Sequence, residues 1–290
     1  MANVCRSERT SYRKKAGNML ELVLLYLVLA VACVLVLYPL LWVASCSFKA
    51  STGLVGSSLI PDTVTLDNYK TVLTDPDVNF PRWIMNTVKV SVLTALAALA
   101  VTTPAAYAFS RMRFPGRRQG LIASMIMQMF PSFMAIVALY TLLGWAGLID
   151  TYLGLIIVYV GGAIPFSVWL LKGYFDSLPK EIEESAMIDG ATRFQAFVRI
   201  LLPLAKPILY VVGLVNFLGP YSEYIMAQVI ITSTAKWTSV LGMRSLTSSQ
   251  FSTQWASFSA VSVLTAIPIV IVFLSAEQYI VSGMTQGAIK

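Results

Sequence analysis

The chain has 290 residues, 57% of them hydrophobic and only 12% charged, and carries a formal net charge of +7. Soluble domains average about 25% charged residues, so a soluble globular protein is excluded. The chain contains no histidine, which removes His-based metal sites, Ser-His triads and His proton relays.

In chain order, residues 1–19 are basic, with Arg6, Arg9, Arg13, Lys14 and Lys15, and are expected as a cytoplasmic tail. The first apolar run covers about 20–45 and ends on Val43-Ala44-Ser45-Cys46, which has the form of a lipoprotein cleavage site. A signal h-region is usually about 7–15 residues. This run is longer, so it is read as an uncleaved span. The three cysteines, Cys5, Cys33 and Cys46, have no paired spacing and predict no disulfide. Residues 46–83 read as an external loop with Gly53, Gly56, Pro61, Asp62, Asp75, Pro76 and Asp77 as turn formers.

Five more apolar runs follow, at about 84–110, 119–142, 152–175, 204–228 and 258–281. Each approaches or exceeds the roughly 20 helical residues that cross a bilayer. Backbone polar groups in lipid must be satisfied internally, and no period of two is present, so the fold class is all-α with six transmembrane helices. Between them lie a tight turn at 110–118 with Pro115-Gly116, a short loop at 143–151, a polar loop at 176–203 and a Ser-, Thr- and Trp-rich loop at 229–257. Residues 282–290 form a C-terminal tail. Every span contains or abuts a proline, and bent spans lining a cavity are the functional reading of that pattern. Proline-rich membrane helices are also simply common.

Orientation follows from Lys and Arg. Fifteen fall on the tails, the 110–118 turn, the 176–203 loop and its flanks, against five (Lys49, Lys70, Arg82, Lys236, Arg244) on the opposite side. The bias places both termini and the polar loop in the cytoplasm. The positive charge therefore reflects membrane topology. Because the basic residues are scattered over separate loops, no nucleic-acid partner is expected. No charged residue sits near the centre of a span, which argues against a proton- or sodium-coupled carrier.

The polar loop carries the most information. Glu181, Glu183, Glu184, Asp189, Arg193 and Arg199 cannot lie in lipid. Pro179 fits the first turn of a helix. Leu178, Ile182, Ala186 and Met187 fall near one of its faces, Gly190 fits a left-handed stop, and Thr192 caps a second helix bearing Phe194, Phe197, Val198 and Leu201. A helix-turn-helix with an apolar face is a recognition element for a partner's groove.

Residues 183–203, Glu-Glu-Ser-Ala-Met-Ile-Asp-Gly through Ile200-Leu-Leu-Pro203, resemble the coupling loop of the permease subunits of binding-protein-dependent ABC importers. Glu184-Ser185-Ala186 stands at that family's Glu-Ala-Ala, with Ser185 replacing an alanine; Gly190 and Pro203 match its Gly and terminal Pro. Leu171-Lys-Gly-Tyr-Phe175, Leu178-Pro-Lys-Glu-Ile-Glu-Glu184, Lys236-Trp-Thr238, Val240-Leu-Gly-Met243 and Ser282–Lys290 are similar to the carbohydrate-uptake, maltose/maltodextrin (MalG) type. Leu66-Asp-Asn-Tyr69 resembles a segment that recurs in sugar permeases of this kind.

The resemblance implies a type I importer permease domain over 20–281, with a cytoplasmic coupling helix between spans 4 and 5. It implies a multi-pass protein of a bacterial cell membrane that forms half of a sugar pore. The implied partners are a second, MalF-like permease subunit, an ABC ATPase dimer and an extracytoplasmic sugar-binding protein. The implied coupling residues are Glu184, Ser185, Ala186, Asp189, Gly190 and Pro203. A non-sugar or modified-sugar solute such as glycerol-phosphate is the alternative cargo. No Gly-Lys dipeptide occurs, so there is no phosphate-binding loop and no cofactor is expected in the chain itself. ATP would be bound by the partner. Candidate substrate-pathway residues are Gln128 and Asn216, with the aromatics Tyr107 and Tyr159; Ser262 and Thr265 are further mid-membrane polar groups. Each is equally suited to a hydrogen bond between helices. Met127-Gln-Met-Phe130 beside Pro131 suggests a hydrophobic gate.

Overall fold

The fold is that of a computed structural model, which describes residues 2–50, 59–61, 63–76, 78–247 and 254–288. Among these residues the secondary structure is helical apart from one isolated antiparallel bridge, Lys49 to Val64. Four helices are long and apolar enough to cross a membrane: Glu21–Ser47, Phe80–Arg111, Tyr152–Ser177 and Trp255–Glu277. Two bent pairs, Arg117–Gln128 with Phe133–Trp145 and Arg193–Leu204 with Lys206–Ser222, bring the number to six when each pair is counted as one span. In chain order the four long helices are spans 1, 2, 4 and 6; the first bent pair is span 3, and Lys206–Ser222 of the second pair is span 5, with Arg193–Leu204 leading into it.

The third span, expected at about 119–142 beside Pro131, is bent into two helices. The chain turns by 86° between its halves. Pro131 has no N–H to give and disfavours helix at Phe130, and it sits extended, with ψ 118°, at the break. The expected fifth span at 204–228 is shorter, Lys206–Ser222, because Glu223 is extended and starts a separate helix, Ile225–Ile230. The terminal segments expected as tails continue the outer helices, which run Ala2–Ser47 and Trp255–Ala288. Pro39, Pro104, Pro165, Pro220 and Pro268 lie inside helices that they do not divide.

Spans 2, 4 and 5 form the centre. Span 2 presents Thr87, Ser91, Thr94, Ala98 and Thr102 at helical spacing, all buried. Small side chains let helix backbones approach closely in lipid, where burial of apolar area gives no net drive between helices. Asn216 of span 5 donates to Ser167 Oγ of span 4 at 3.0 Å, tying the two together. A buried cluster built on Tyr107, Leu171, Phe175, Phe197, Leu201 and Val212 closes the end of the bundle next to the 176–203 loop. Span 1 packs along span 6 and leaves its other apolar faces uncovered, as a helix facing hydrocarbon does.

Outside the spans, the helix Asp67–Thr74 seals the end of span 1. Asn68 Nδ2 donates to the carbonyls of Ser47, at the helix end, at 2.9 Å and of Lys49 just beyond it at 2.8 Å. Within the 229–257 loop, Ser239–Ser245 is a helix laid on span 2. Asn86 Nδ2 donates to the carbonyls of Ala235 and Trp237, and Thr87 Oγ1 accepts from Ser239 N at 2.7 Å. Gly242 lies directly against the Trp83 ring.

Candidate functional site

The 176–203 loop folds as two helices joined at one glycine. The first, Glu181–Ile188, starts after Lys180, so Pro179 precedes the helix rather than occupying its first turn. Its end is a Schellman arrangement: Gly190 N donates to Met187 O at 3.2 Å and Ala191 N to Ala186 O at 3.0 Å. Gly190 has φ +89°, the left-handed conformation anticipated from sequence. Thr192 then caps the second helix in a full capping box, its Oγ1 accepting from Gln195 N while Gln195 Oε1 accepts from Thr192 N.

The second helix runs Arg193–Leu204 and contains a π turn at Phe197–Leu201. Pro203 cannot donate to the carbonyl four residues back, and the wider turn accommodates its ring. The helix stops at Ala205, and span 5 leaves at 77°. Pro203 therefore sits on the loop side of this elbow, one turn ahead of the membrane helix.

The two faces of the loop differ. Ile188 is 85% exposed and Phe194 73%. They stand on either side of Asp189-Gly190, with Glu184, Ser185 and Asp189 also exposed and Ala186 half-buried. The inward face carries a charge: Glu183 is buried and meets the end of span 2. Arg111 Nε donates to Glu183 Oε1 at 2.5 Å, and Tyr107 Oη donates to Glu183 Oε2 at 3.1 Å. Arg111 Nη2 also donates to Leu178 O at 2.9 Å. The pair is only 7% and 8% exposed. The Tyr107 ring lies 4.5 Å from Phe197 and edge-on to Phe175, so one side chain of span 2 touches both arms of the loop and the end of span 4. A cavity of about 130 Å³ opens beside it, lined by Tyr107, Arg111, Lys180, Glu183, Glu184 and Arg193 among others.

The sequence-derived pathway residues do not share a site. Tyr107 belongs to the loop contact just described. Asn216 is buried between spans 4 and 5. Tyr159 Oη donates to Glu223 Oε2 at 2.6 Å, and Glu223 in turn accepts from Met226 N and Ala227 N at the start of the next helix. Gln128 is exposed at the end of the first half of span 3, and Met127, Met129 and Phe130 are exposed around that break. Ser262 bonds its own helix at Phe258 O, and Thr265 Oγ1 is buried without a hydrogen-bond partner among the described residues. Sequence reasoning missed Glu183 as a buried group, and no local signal marks it: periodicity groups Leu178, Ile182, Ala186 and Met187 on one face and leaves Glu183 off it.

A second feature holds the opposite side. Asp150, in the left-handed region at φ +56°, accepts from Lys236 Nζ at 2.8 Å, from Ser233 Oγ and N, and from Thr232 N. Its own N–H donates to Ile230 O. This joins the loop between spans 3 and 4 to the one after span 5. The Lys236 ammonium first, then the Ser233 donors, hold the Asp150 carboxyl well below the usual carboxylate range. A lowered folded value means the contribution is complete above the unfolded value, about 4, and is lost as the pH falls through and below it. We expect proteolysis or hydrogen exchange at 230–236 to accelerate below about pH 4. Asp150→Ala should show the fast rate already at neutral pH, and Asp150→Asn, which tolerates the same backbone, should be milder. Equal protection of Asp150→Ala and wild type at pH 7 would show that the clasp contributes nothing.

The family model described as "binding-protein-dependent transport system inner membrane component" matches residues 102–286, which includes the whole two-helix loop. The chain belongs to this family. It is 36% identical over 277 residues to the galactooligosaccharides transport system permease protein GanQ of Bacillus subtilis, covering 95% of this chain and 98% of that protein. It is 40% identical over 273 residues to the maltose/maltodextrin permease MalG of Vibrio parahaemolyticus, covering 88% and 91%. For the Escherichia coli MalG the identity is 36% over 287 residues, covering 93% and 96%. Among solved structures, a chain of a bacterial ABC transporter involved in import of the acidic polysaccharide alginate superposes with a TM-score of 0.75 at 23% identity, covering 89% and 95%. A chain of the MetNI methionine ABC transporter gives 0.55 at 16% identity, covering 69% and 93%. These two establish the permease fold. The protein is thus a multi-pass membrane permease of the ABC importer type.

Proposed function

We propose that this permease is one of two membrane subunits of an ATP-driven importer of an oligosaccharide of the maltodextrin or galactooligosaccharide type, and that it forms half of the translocation pore. One observation carries the reading: similarity extends along nearly the whole chain to relatives that are all named as sugar permeases. A MalF-like second subunit completes the pore, a separate ATPase dimer binds ATP, and an extracytoplasmic binding protein delivers the sugar.

The 176–203 loop is the docking element for the ATPase. Its exposed apolar tips, Ile188 and Phe194, are the anchors for a groove. Glu184, Ser185, Ala186 and Asp189 flank them, and Gly190 sets the angle between the helices. Ser185 replaces the family's alanine on the exposed surface, where a hydroxyl costs little. Both termini and this loop lie in the cytoplasm of a bacterial cell, as the Lys and Arg bias supports.

The test is copurification with the ATPase, followed by uptake of candidate oligosaccharides in vesicles. Specific ATP hydrolysis by the chain purified alone, or uptake independent of any ATPase, would overturn the reading. Orientation is checked separately in a variant without native cysteines. A cysteine at Ser57 or Ser248, both outside the described residues, should react with an impermeant thiol reagent added to intact cells. One at Gln119 or Gln195 should not. Labelling of the second pair reverses the topology.

A further inference from the structure

Chain connectivity alone would deliver a push on the coupling loop to spans 4 and 5, which it joins. The contacts place it elsewhere as well. Glu183 points away from the exposed docking face and into span 2, where Arg111 and Tyr107 bind one carboxylate oxygen each. Arg111 also holds Leu178 O, at the end of span 4. Tyr107 stacks on Phe197, in the second arm of the loop. The loop between these contacts is short: its first arm is fastened to both Arg111 and Tyr107, and its second arm rests on Tyr107.

A buried ion pair is seldom retained for stability, because desolvating two charges offsets most of their attraction. Its geometric demand is the more distinctive property. A bidentate-like arrangement, with one donor on each carboxylate oxygen, fixes direction as well as distance. An apolar contact at the same position would let the helix slide or roll. We propose that Glu183 is the positioning residue that fastens the coupling helix to span 2, so that a displacement of the loop is delivered through Arg111 and Tyr107 to the cytoplasmic end of span 2. This rests on the reading of the loop as the ATPase dock, and it adds which membrane helix is driven. Span 2 lies at the centre of the bundle, packed on both span 4 and span 5, so a force applied there reaches the whole core.

The assignment separates two neighbouring glutamates. Glu184 is exposed and acts on the partner; Glu183 is buried and acts on the chain itself. Loss of Glu183 therefore leaves the dock occupied while disconnecting it.

The experiment uses the whole transport complex. In Glu183→Gln, crosslinking from Ala186→Cys to the ATPase should persist at the wild-type level. Sugar uptake per ATP hydrolysed should fall by about 5–150-fold, the span of typical coupling between sites. Tyr107→Phe, which keeps the ring on Phe197 and loses only the hydroxyl, should fall less. A double variant carries Arg111→Cys and Glu183→Cys: uptake should be low, and joining the two thiols with a short bifunctional reagent should restore it. That rescue is one a role in folding alone would not produce. Wild-type uptake per ATP in Glu183→Gln, or no gain of uptake on joining the two cysteines, would overturn the proposal. Absence of the Ala186→Cys crosslink in the otherwise wild-type complex would instead overturn the docking reading.

Discussion

Gly190→Pro should abolish sugar uptake while leaving the protein in the membrane. Three effects coincide at this one residue. Gly190 holds φ +89°, which the proline ring, fixed near about −65°, cannot adopt. Its N–H donates to Met187 O, and proline removes that donor. The neighbouring bond from Ala191 N to Ala186 O depends on the same turn. A proline misfit of this kind costs about 3 kcal/mol or more, which equals or exceeds a whole coupling free energy of about 1–3 kcal/mol. No span is touched, so expression should hold. Gly190→Ala separates backbone from bulk: a Cβ here meets nothing within 4 Å, so only the left-handed strain of about 1–2 kcal/mol remains. Uptake should rank wild type, then Gly190→Ala, then Gly190→Pro. Normal uptake in the proline variant would show that the turn does not transmit force. Glu184→Lys, which reverses a charge on the exposed face, should weaken ATPase binding without altering the turn.

Gly242→Ala should destabilise the protein from the other side of the membrane. An added Cβ would stand 2.1 Å from Cδ2 of Trp83 and 2.2 Å from Cε3. Both belong to the rigid indole, which is itself buried, so no flexible end can yield. Overpacking typically costs about 1–3 kcal/mol. Here the helix Ser239–Ser245 must lift off span 2, which also strains the bond from Ser239 N to Thr87 Oγ1. The expected result is a lower unfolding temperature of the detergent-solubilised protein and faster proteolysis between 232 and 247. Trp83→Val should recover much of the loss in the double variant, because the two positions share one space. An unchanged melting temperature for Gly242→Ala would mean that this contact is not close in the working protein.

Local chemistry makes the two-helix form of the 176–203 loop readable from sequence. A glycine between two amphipathic stretches and a threonine at the head of the second are short-range signals, and Gly190 and the Thr192 cap sit where they indicate; Gln195 completes the cap as a box in the structure. Six spans are readable for the same reason: hydrophobic length is a local property. The break in span 3 is only half visible. Pro131 announces a bend, but whether a proline divides a helix depends on its neighbours, as the five prolines inside intact helices show. The long-range ties are not visible at all. Glu183 pairs with a residue 72 positions away and Asp150 with one 86 away. Nothing in a short sequence window tells a glutamate in a run of three which one will turn inward. Asn216 and Tyr159, polar groups equally suited to a sugar path or to a bond between helices, make hydrogen bonds between helices, the commoner fate of polar side chains in lipid.

The 77° elbow at Ala205 makes a crank of the segment from Arg193 to Ser222. Its short arm is the loop helix that ends at Leu204; its long arm is span 5, whose 17 residues extend about 25 Å. A turn of the short arm by about 10° would sweep the far tip of span 5 through roughly 4 Å. That tip is Glu223, bonded at 2.6 Å to Tyr159 on span 4 and holding the first turn of Ile225–Ile230. A sweep of about 4 Å exceeds the length of such a bond. A small rotation at one membrane face is therefore enough to unfasten the opposite one, provided span 5 stays stiff along its length.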